Sequence, residues 1–146
     1  MKKTKKFLTG FTLIELLVVI AIIGLLASIV LVSFPSATKK ANDSRVQSAI
    51  SQTRALMVSY QATNGTYTGF SCTTPSEMVN LCAEVAAKGY AKANPTINVS
   101  ATAVCIYASL NAKDGATYYC VDSTGIAGVT ATSPAALFAC PAGTTL

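Results

Sequence analysis

Hydrophobic and polar positions divide the chain into four stretches. The first is nearly unbroken: across residues 16–32 the only polar side chain is Ser28. A run with no polar face predicts a helix that needs apolar surroundings on every side. Taken from 11 to 34 it spans about 36 Å at ~1.5 Å per residue, enough to cross the hydrocarbon of a bilayer. Gly24 and Pro35 punctuate it. Both are tolerated in membrane helices, and both also suit a local loosening once such a helix leaves lipid.

Past Pro35 the pattern becomes a stripe. Val46, Ile50, Thr53, Met57 and Tyr60 recur at helical spacing, broadened by Ala49 and Leu56. Lys39, Lys40, Asp43, Arg45, Gln47 and Gln52 read as lying mostly off it. Asn64-Gly65 supplies residues that tolerate the left-handed conformation and ends the helix. The prediction is one long helix, apolar in its first half and amphipathic in its second, with the stripe covering a globular core.

Next come a short helix and a hairpin. Thr74-Pro75-Ser76-Glu77 reads as an N-cap, a proline at the first helical position and a capping-box acid, with Gly89 closing the helix. Across 99–123, Val104, Ile106, Ala108 and Leu110 alternate with Cys105, Tyr107 and Ser109, and Asn111-Ala112-Lys113-Asp114-Gly115 is a strong turn. The expected register sets Cys105 opposite Cys120, Tyr107 opposite Tyr118, Ile106 opposite Tyr119 and Val104 opposite Val121. One face then carries cysteines and tyrosines and the other is apolar, a sorting that a one-residue slip would destroy. Residues 126–132 suggest a third strand, since a lone hairpin is marginal. Leu137, Phe138 and Cys140 suggest a tail that packs down. The fold class expected is α+β, a long N-terminal helix packed on a small antiparallel sheet.

Charge changes the picture mainly at the N-terminus. The chain is formally +5, but Lys2, Lys3, Lys5 and Lys6 precede Gly10, and without them seven cationic residues face six acidic ones. The basic balance therefore reads as orienting a membrane segment under the positive-inside rule, and no specific nucleic-acid surface is evident. The lysines stand before Gly10 and the apolar run follows it, the reverse of a secretory signal with its cleavage site after the apolar core. Glu15 is out of place in a plain anchor, because a carboxylate in hydrocarbon costs a few kcal/mol and such residues mark function.

Gly10-Phe11-Thr12-Leu13-Ile14-Glu15-Leu16 behind a Lys-rich leader resembles the class III signal of the type IV pilin and pseudopilin superfamily. The resemblance is close over about the first 35 residues and extends as a pattern over the next 25 or so. It implies a cleaved leader (1–10), a transmembrane and assembly helix (11–35) and a soluble pilin-like domain (36–146) that includes the second half of the long helix. It also implies cleavage between Gly10 and Phe11 by a membrane prepilin peptidase that then N-methylates Phe11. Glu15 would pair with the Phe11 amine of a neighbouring subunit during assembly. The partners implied are further copies in a helical filament, the peptidase, an inner-membrane platform with a motor ATPase, and lipid before assembly. The location implied is the bacterial inner membrane, N-terminus inward, then an extracellular or periplasmic filament. A type II secretion pseudopilin is the alternative, and a tip adhesin or DNA-uptake subunit a more distant one.

The five cysteines all follow residue 71, on the far side of such a membrane, where disulfides form. The favoured pairing is Cys72–Cys82 with Cys105–Cys120, leaving Cys140; the chief rival joins Cys120 to Cys140. There is no histidine and no CxxC, so no zinc site is expected, and no dense acidic run suggests calcium. Glu77, Glu84, Asp114 and Asp122 are scattered near helix starts, turns and strand ends. No catalytic constellation and no cofactor motif occurs, and the chain reads as structural rather than enzymatic.

Overall fold

A computed structural model describes residues 10–135 and 137–141; residues 1–9 of the expected leader lie outside the described residues. Compact units divide between Pro35 and Ser36. The longest element, α1 (Leu13–Asn64), contains Pro35 within its span. Residues 11–41 are all exposed, so the apolar half of the helix presents side chains on every side. Burial begins at Asp43 and follows the stripe: Val46, Ala49, Ile50, Thr53 and Met57 are buried. Gly65, at φ 70°, stands just past the helix end in the left-handed region.

The second unit continues with α2 (Met78–Lys88) and four strands, β1 (Thr96–Val99), β2 (Val104–Ser109), β3 (Tyr118–Asp122) and β4 (Ala127–Thr130). They form one antiparallel sheet in the order β1-β2-β3-β4. The α+β, pilin-like arrangement of a long helix with a small antiparallel sheet is therefore present. β4 falls within the expected third strand. β1 lies in a stretch to which the sequence pattern assigns no strand; its Thr-Ile-Asn-Val, between Pro95 and Ser100, is too short to show a period.

The start of α2 departs from expectation. Thr74 is not its N-cap but bridges Ser71, and the helix opens four residues later. The N–H groups of Met78 and Val79 donate to the carbonyls of Pro75 and Ser76, so backbone takes the place of a side-chain cap. Glu77 accepts from the Ser76 hydroxyl instead of closing a capping box. Gly89 does close the helix, and a Cβ there would come 2.8 Å from the Val85 carbonyl oxygen.

The hairpin register is offset by two residues from the expected one. Cys105 faces Asp122, Ile106 faces Val121, Tyr107 faces Cys120 and Ser109 faces Tyr118. The turn is the cause. Lys113, Asp114 and Gly115 are consecutive left-handed residues (φ 54°, 50° and 82°), and the loop closes where Leu110 donates its N–H to Thr117 at 2.8 Å. Left-handed Lys and Asp cost roughly 1–2 kcal/mol each. Offsetting that, Asp43 accepts the N–H groups of Asn111 and Ala112 at 2.5 and 2.7 Å. Asp43 is thus buried on the stripe, not off it.

A two-residue offset preserves the faces. Val104, Ile106, Leu110, Tyr119 and Val121 pack with Val46, Ile50 and Met57 of α1 and with Met78, Cys82 and Val85 of α2 in the main core. Each such aliphatic side chain contributes about 1.5–3 kcal/mol on burial. Polar contacts fix the helix on the sheet, Ser51 to the Tyr119 hydroxyl at 2.8 Å and Arg54 to the Gly125 carbonyl at 2.9 Å. The opposite sheet face gathers Cys105, Tyr107, Cys120 and Cys140 with Tyr118 beside them.

Candidate processing and assembly site

The N-terminal motif is built on the end of a helix. The first four N–H groups of any helix lack intrahelical acceptors. Thr12 supplies one: its Oγ1 accepts the N–H of Glu15 at 3.3 Å. Glu15 reaches back, and its Oε2 accepts both the Thr12 N–H at 2.8 Å and the Thr12 hydroxyl at 2.7 Å. This is a reciprocal capping box, Thr-x-x-Glu, with Thr12 at the N-cap. The spacing of Thr12 and Glu15 is enough to reveal it, but a helix start assumed at residue 11 hides it. The carboxylate also sits at the positive end of the helix dipole, where negative charge is favoured.

Gly10 and Phe11 lie outside the helix. A Cβ built on Gly10 meets nothing within 4 Å, and Phe11 is 79% exposed. The Gly10–Phe11 bond therefore stands in open, non-helical chain. The cap uses one carboxylate oxygen of Glu15, Oε2; among the described residues Oε1 takes no hydrogen bond.

The family model described as the prokaryotic N-terminal methylation motif matches residues 9–31. The chain is type IV pilin-like. It is 44% identical over 59 residues to the type IV wide pilus major component PilA4 of Thermus thermophilus. That alignment covers 40% of this chain and 45% of the relative, so the pilin-like chain spans less than half the length of the curated protein it matches. No solved structure matches it. α1 is long and apolar enough to cross a membrane by length and composition.

The cysteines of this pilin-like chain occupy the second unit. Cys72 is bonded to Cys82 as expected, with Cα atoms 5.7 Å apart, fastening the loop before α2 to that helix. The expected Cys105–Cys120 bond is absent and the rival Cys120–Cys140 is formed. The register explains this. With Tyr107 opposite Cys120, Cys105 is a diagonal neighbour, its sulfur 3.2 Å from that of Cys120. The tail meanwhile delivers Cys140, whose N–H donates to Asp122 Oδ2 at 2.7 Å. Burial, with the negative charge of Asp122 adding, pushes the Cys105 thiol up to about 12. The sulfurs of Cys105, Cys120 and Cys140 all lie within 4.8 Å of one another. With two of them joined in a disulfide, a single thiol remains, too few donors for a soft-metal site.

Proposed function

We propose that this chain is the precursor of a structural filament subunit: leader 1–10, membrane and assembly helix 11–35, and displayed domain 36–146. A prepilin peptidase cleaves between Gly10 and Phe11 and methylates the new Phe11 amine. The mature chain waits in the inner membrane and polymerises through its apolar helix. The observation that carries this reading is the methylation motif seated on an exposed, uninterrupted apolar helix whose first turn ends in a carboxylate.

Physical chemistry supports each step. An open Gly10–Phe11 bond is what a peptidase requires, and glycine there lets a protease backbone approach closely. Before assembly, lipid covers the apolar side chains; afterwards, the equivalent helices of neighbours do. Leaving lipid costs those contacts before the filament restores them, which is work for a motor ATPase on the membrane platform. A carboxylate carried into a filament core needs a partner, because a buried lone charge costs far more than a pair. The cap holds Oε2 of Glu15 and leaves Oε1 to accept an N-terminal ammonium from a neighbour displaced along the axis. Glu15 thereby sets subunit register while its own helix stays capped.

Gly10→Ala is the decisive variant. Intact-mass measurement should find precursor alone, and mature-length protein from it would refute the cut site. Glu15→Ala should be processed normally yet give few filaments; wild-type yield would remove Glu15 from assembly. Deletion should abolish surface filaments and attachment. Loss of exoprotein secretion with filaments intact would instead assign the chain to a secretion pseudopilus.

A further inference from the structure

The sheet face away from the helix gathers three of the five cysteines. Cys105, Cys120 and Cys140 are all buried there, with Tyr107 and Tyr118 over them, their rings edge to face at 6.0 Å. Cys120 and Cys140 form the bond that fastens the C-terminal tail to β3. Cys105 is a free thiol on the neighbouring strand, its sulfur 3.2 Å from Cys120; with all three sulfurs within 4.8 Å of one another it stands to the side of the Cys120–Cys140 axis, and a side-chain rotation is needed to bring it in line for attack.

The geometry points to a built-in thiol–disulfide exchange in which Cys105 displaces Cys140 from Cys120, converting a tail-fastening bond into a cross-strand bond and leaving the tail on hydrogen bonds alone. In that step the Cys105 thiol gives up its proton. The sulfur's electron pair forms a bond to Sγ of Cys120. The Cys120–Cys140 bond breaks, and its electron pair leaves on Cys140, which takes up a proton. One disulfide and one thiol enter and one of each leaves, so no oxidant or reductant is needed.

Both ends of the step are furnished. The product bond joins sulfurs on the adjacent strands β2 and β3 that already stand 3.2 Å apart. The product thiol has an acceptor, for the Ile126 carbonyl oxygen stands 3.9 Å from Cys140 Sγ. What changes is the tail. In the starting form a bond of sequence separation 20 closes it on the sheet. After exchange it is held by the Cys140 N–H on Asp122 and by the Asn98 amide on the carbonyls of Pro134 and Leu137, at 3.1 and 2.7 Å.

Thiolate is the attacking species, and its supply sets the rate. The ionisable groups around Cys105 are Asp122 and Tyr118 on β3, Tyr107 on its own strand and Cys140 in the tail. None is cationic. The face therefore keeps Cys105 protonated, and exchange is slow while the face is closed and faster at alkaline pH.

Tryptic mapping without reductant separates the two forms. Beyond Lys92 the only cleavage site is Lys113, so Cys105 lies in peptide 93–113 and both Cys120 and Cys140 lie in peptide 114–146. Full-length protein in detergent is held at neutral or alkaline pH, returned to neutral pH, unfolded in guanidinium with excess maleimide already present, and digested. At neutral pH the cap should sit on peptide 93–113. At alkaline pH the cap should move to Cys140 and the two peptides should appear joined, with still one cap per chain. Cys140→Ser, in which Cys120 has Cys105 as its one neighbour, shows that the joined pair is detectable. Wild-type protein whose cap stays on Cys105 with no joined pair at any pH overturns the proposal. A joined pair that appears only as the cap count falls also overturns it, because that is oxidation and not exchange.

Discussion

Asp43 is the sharpest test of how the helix holds the sheet. It is 5% exposed, and its Oδ1 accepts the Asn111 N–H at 2.5 Å and the Asn111 side-chain amide at 2.9 Å, while Oδ2 accepts the Ala112 N–H at 2.7 Å. Asp43→Ala strips two peptide N–H groups of their acceptor. Bonds to a charged group contribute about 1.5–3 kcal/mol each. Asn111 and Ala112 are half-buried, so water recovers part of this, and alanine returns a few tenths as a better helix former. The expected net loss is about 3 kcal/mol. At roughly 4 °C per kcal/mol for a domain of this size, that lowers Tm by about 12 °C. Asp43→Asn should recover only part of this, since its Oδ1 still accepts from Asn111 while its amide presents N–H to the N–H of Ala112. Lys39→Ala is the control. Lys39 and Asp114 form an ion pair at 2.5 Å, but their side chains are 50% and 73% exposed, and such pairs contribute under ~1 kcal/mol. Urea and thermal unfolding of the full chain in detergent would measure all three. A loss below about 1 kcal/mol for Asp43→Ala, or wild-type stability for Asp43→Asn, would refute the reasoning.

Thr12→Val should uncap α1 at a cost of about 1 kcal/mol, a near fivefold rise in opening of its first turn, read by amide exchange at residues 13–15 in micelles. Unchanged exchange would mean that the cap carries no energy. Cys105 makes stability fall at high pH. The folded chain holds its thiol proton to about 12 while the unfolded chain releases it in the ordinary thiol range near 8.5. Stability from this group is therefore intact below about 8.5 and declines as pH rises toward 12. Cys105→Ala should flatten that alkaline slope, and equal slopes for variant and wild type would count against the burial argument.

Patterns with a strong period are legible in the sequence. The stripe from Val46 to Met57, the helix end at Asn64-Gly65 and the sorting of the two sheet faces all follow from spacing. What spacing leaves open is any change that keeps the period. Moving the hairpin by two residues leaves Val104, Ile106, Tyr119 and Val121 on the same face, so composition cannot choose between registers. The choice lies in three left-handed residues at 113–115, of which only Gly115 advertises that conformation. Cysteine pairing fails with the register, since it is inferred from it. Asp43 misleads because polarity outweighs position: it precedes Val46 by three and Ile50 by seven, squarely on the buried stripe. The capping box is readable from Thr12 and Glu15 alone. That both of the cap's bonds fall on a single carboxylate oxygen of Glu15 is not, because this depends on where the helix begins.

Asp122 shows what the closing of the tail asks of a chain made from one end. Its Oδ1 accepts Thr124 N–H, Thr124 hydroxyl and Ile126 N–H, folding the turn after β3, while Oδ2 waits for the N–H of Cys140. Synthesis runs from the N-terminus, so residues 105–122 exist before residue 140 does. Through that interval Cys120 has no Cys140 to meet, and Cys105 is the cysteine that the folded sheet sets at 3.2 Å from it. In chain order the cross-strand partner precedes the tail partner, and the tail-fastening bond needs Cys140 present and docked on Asp122.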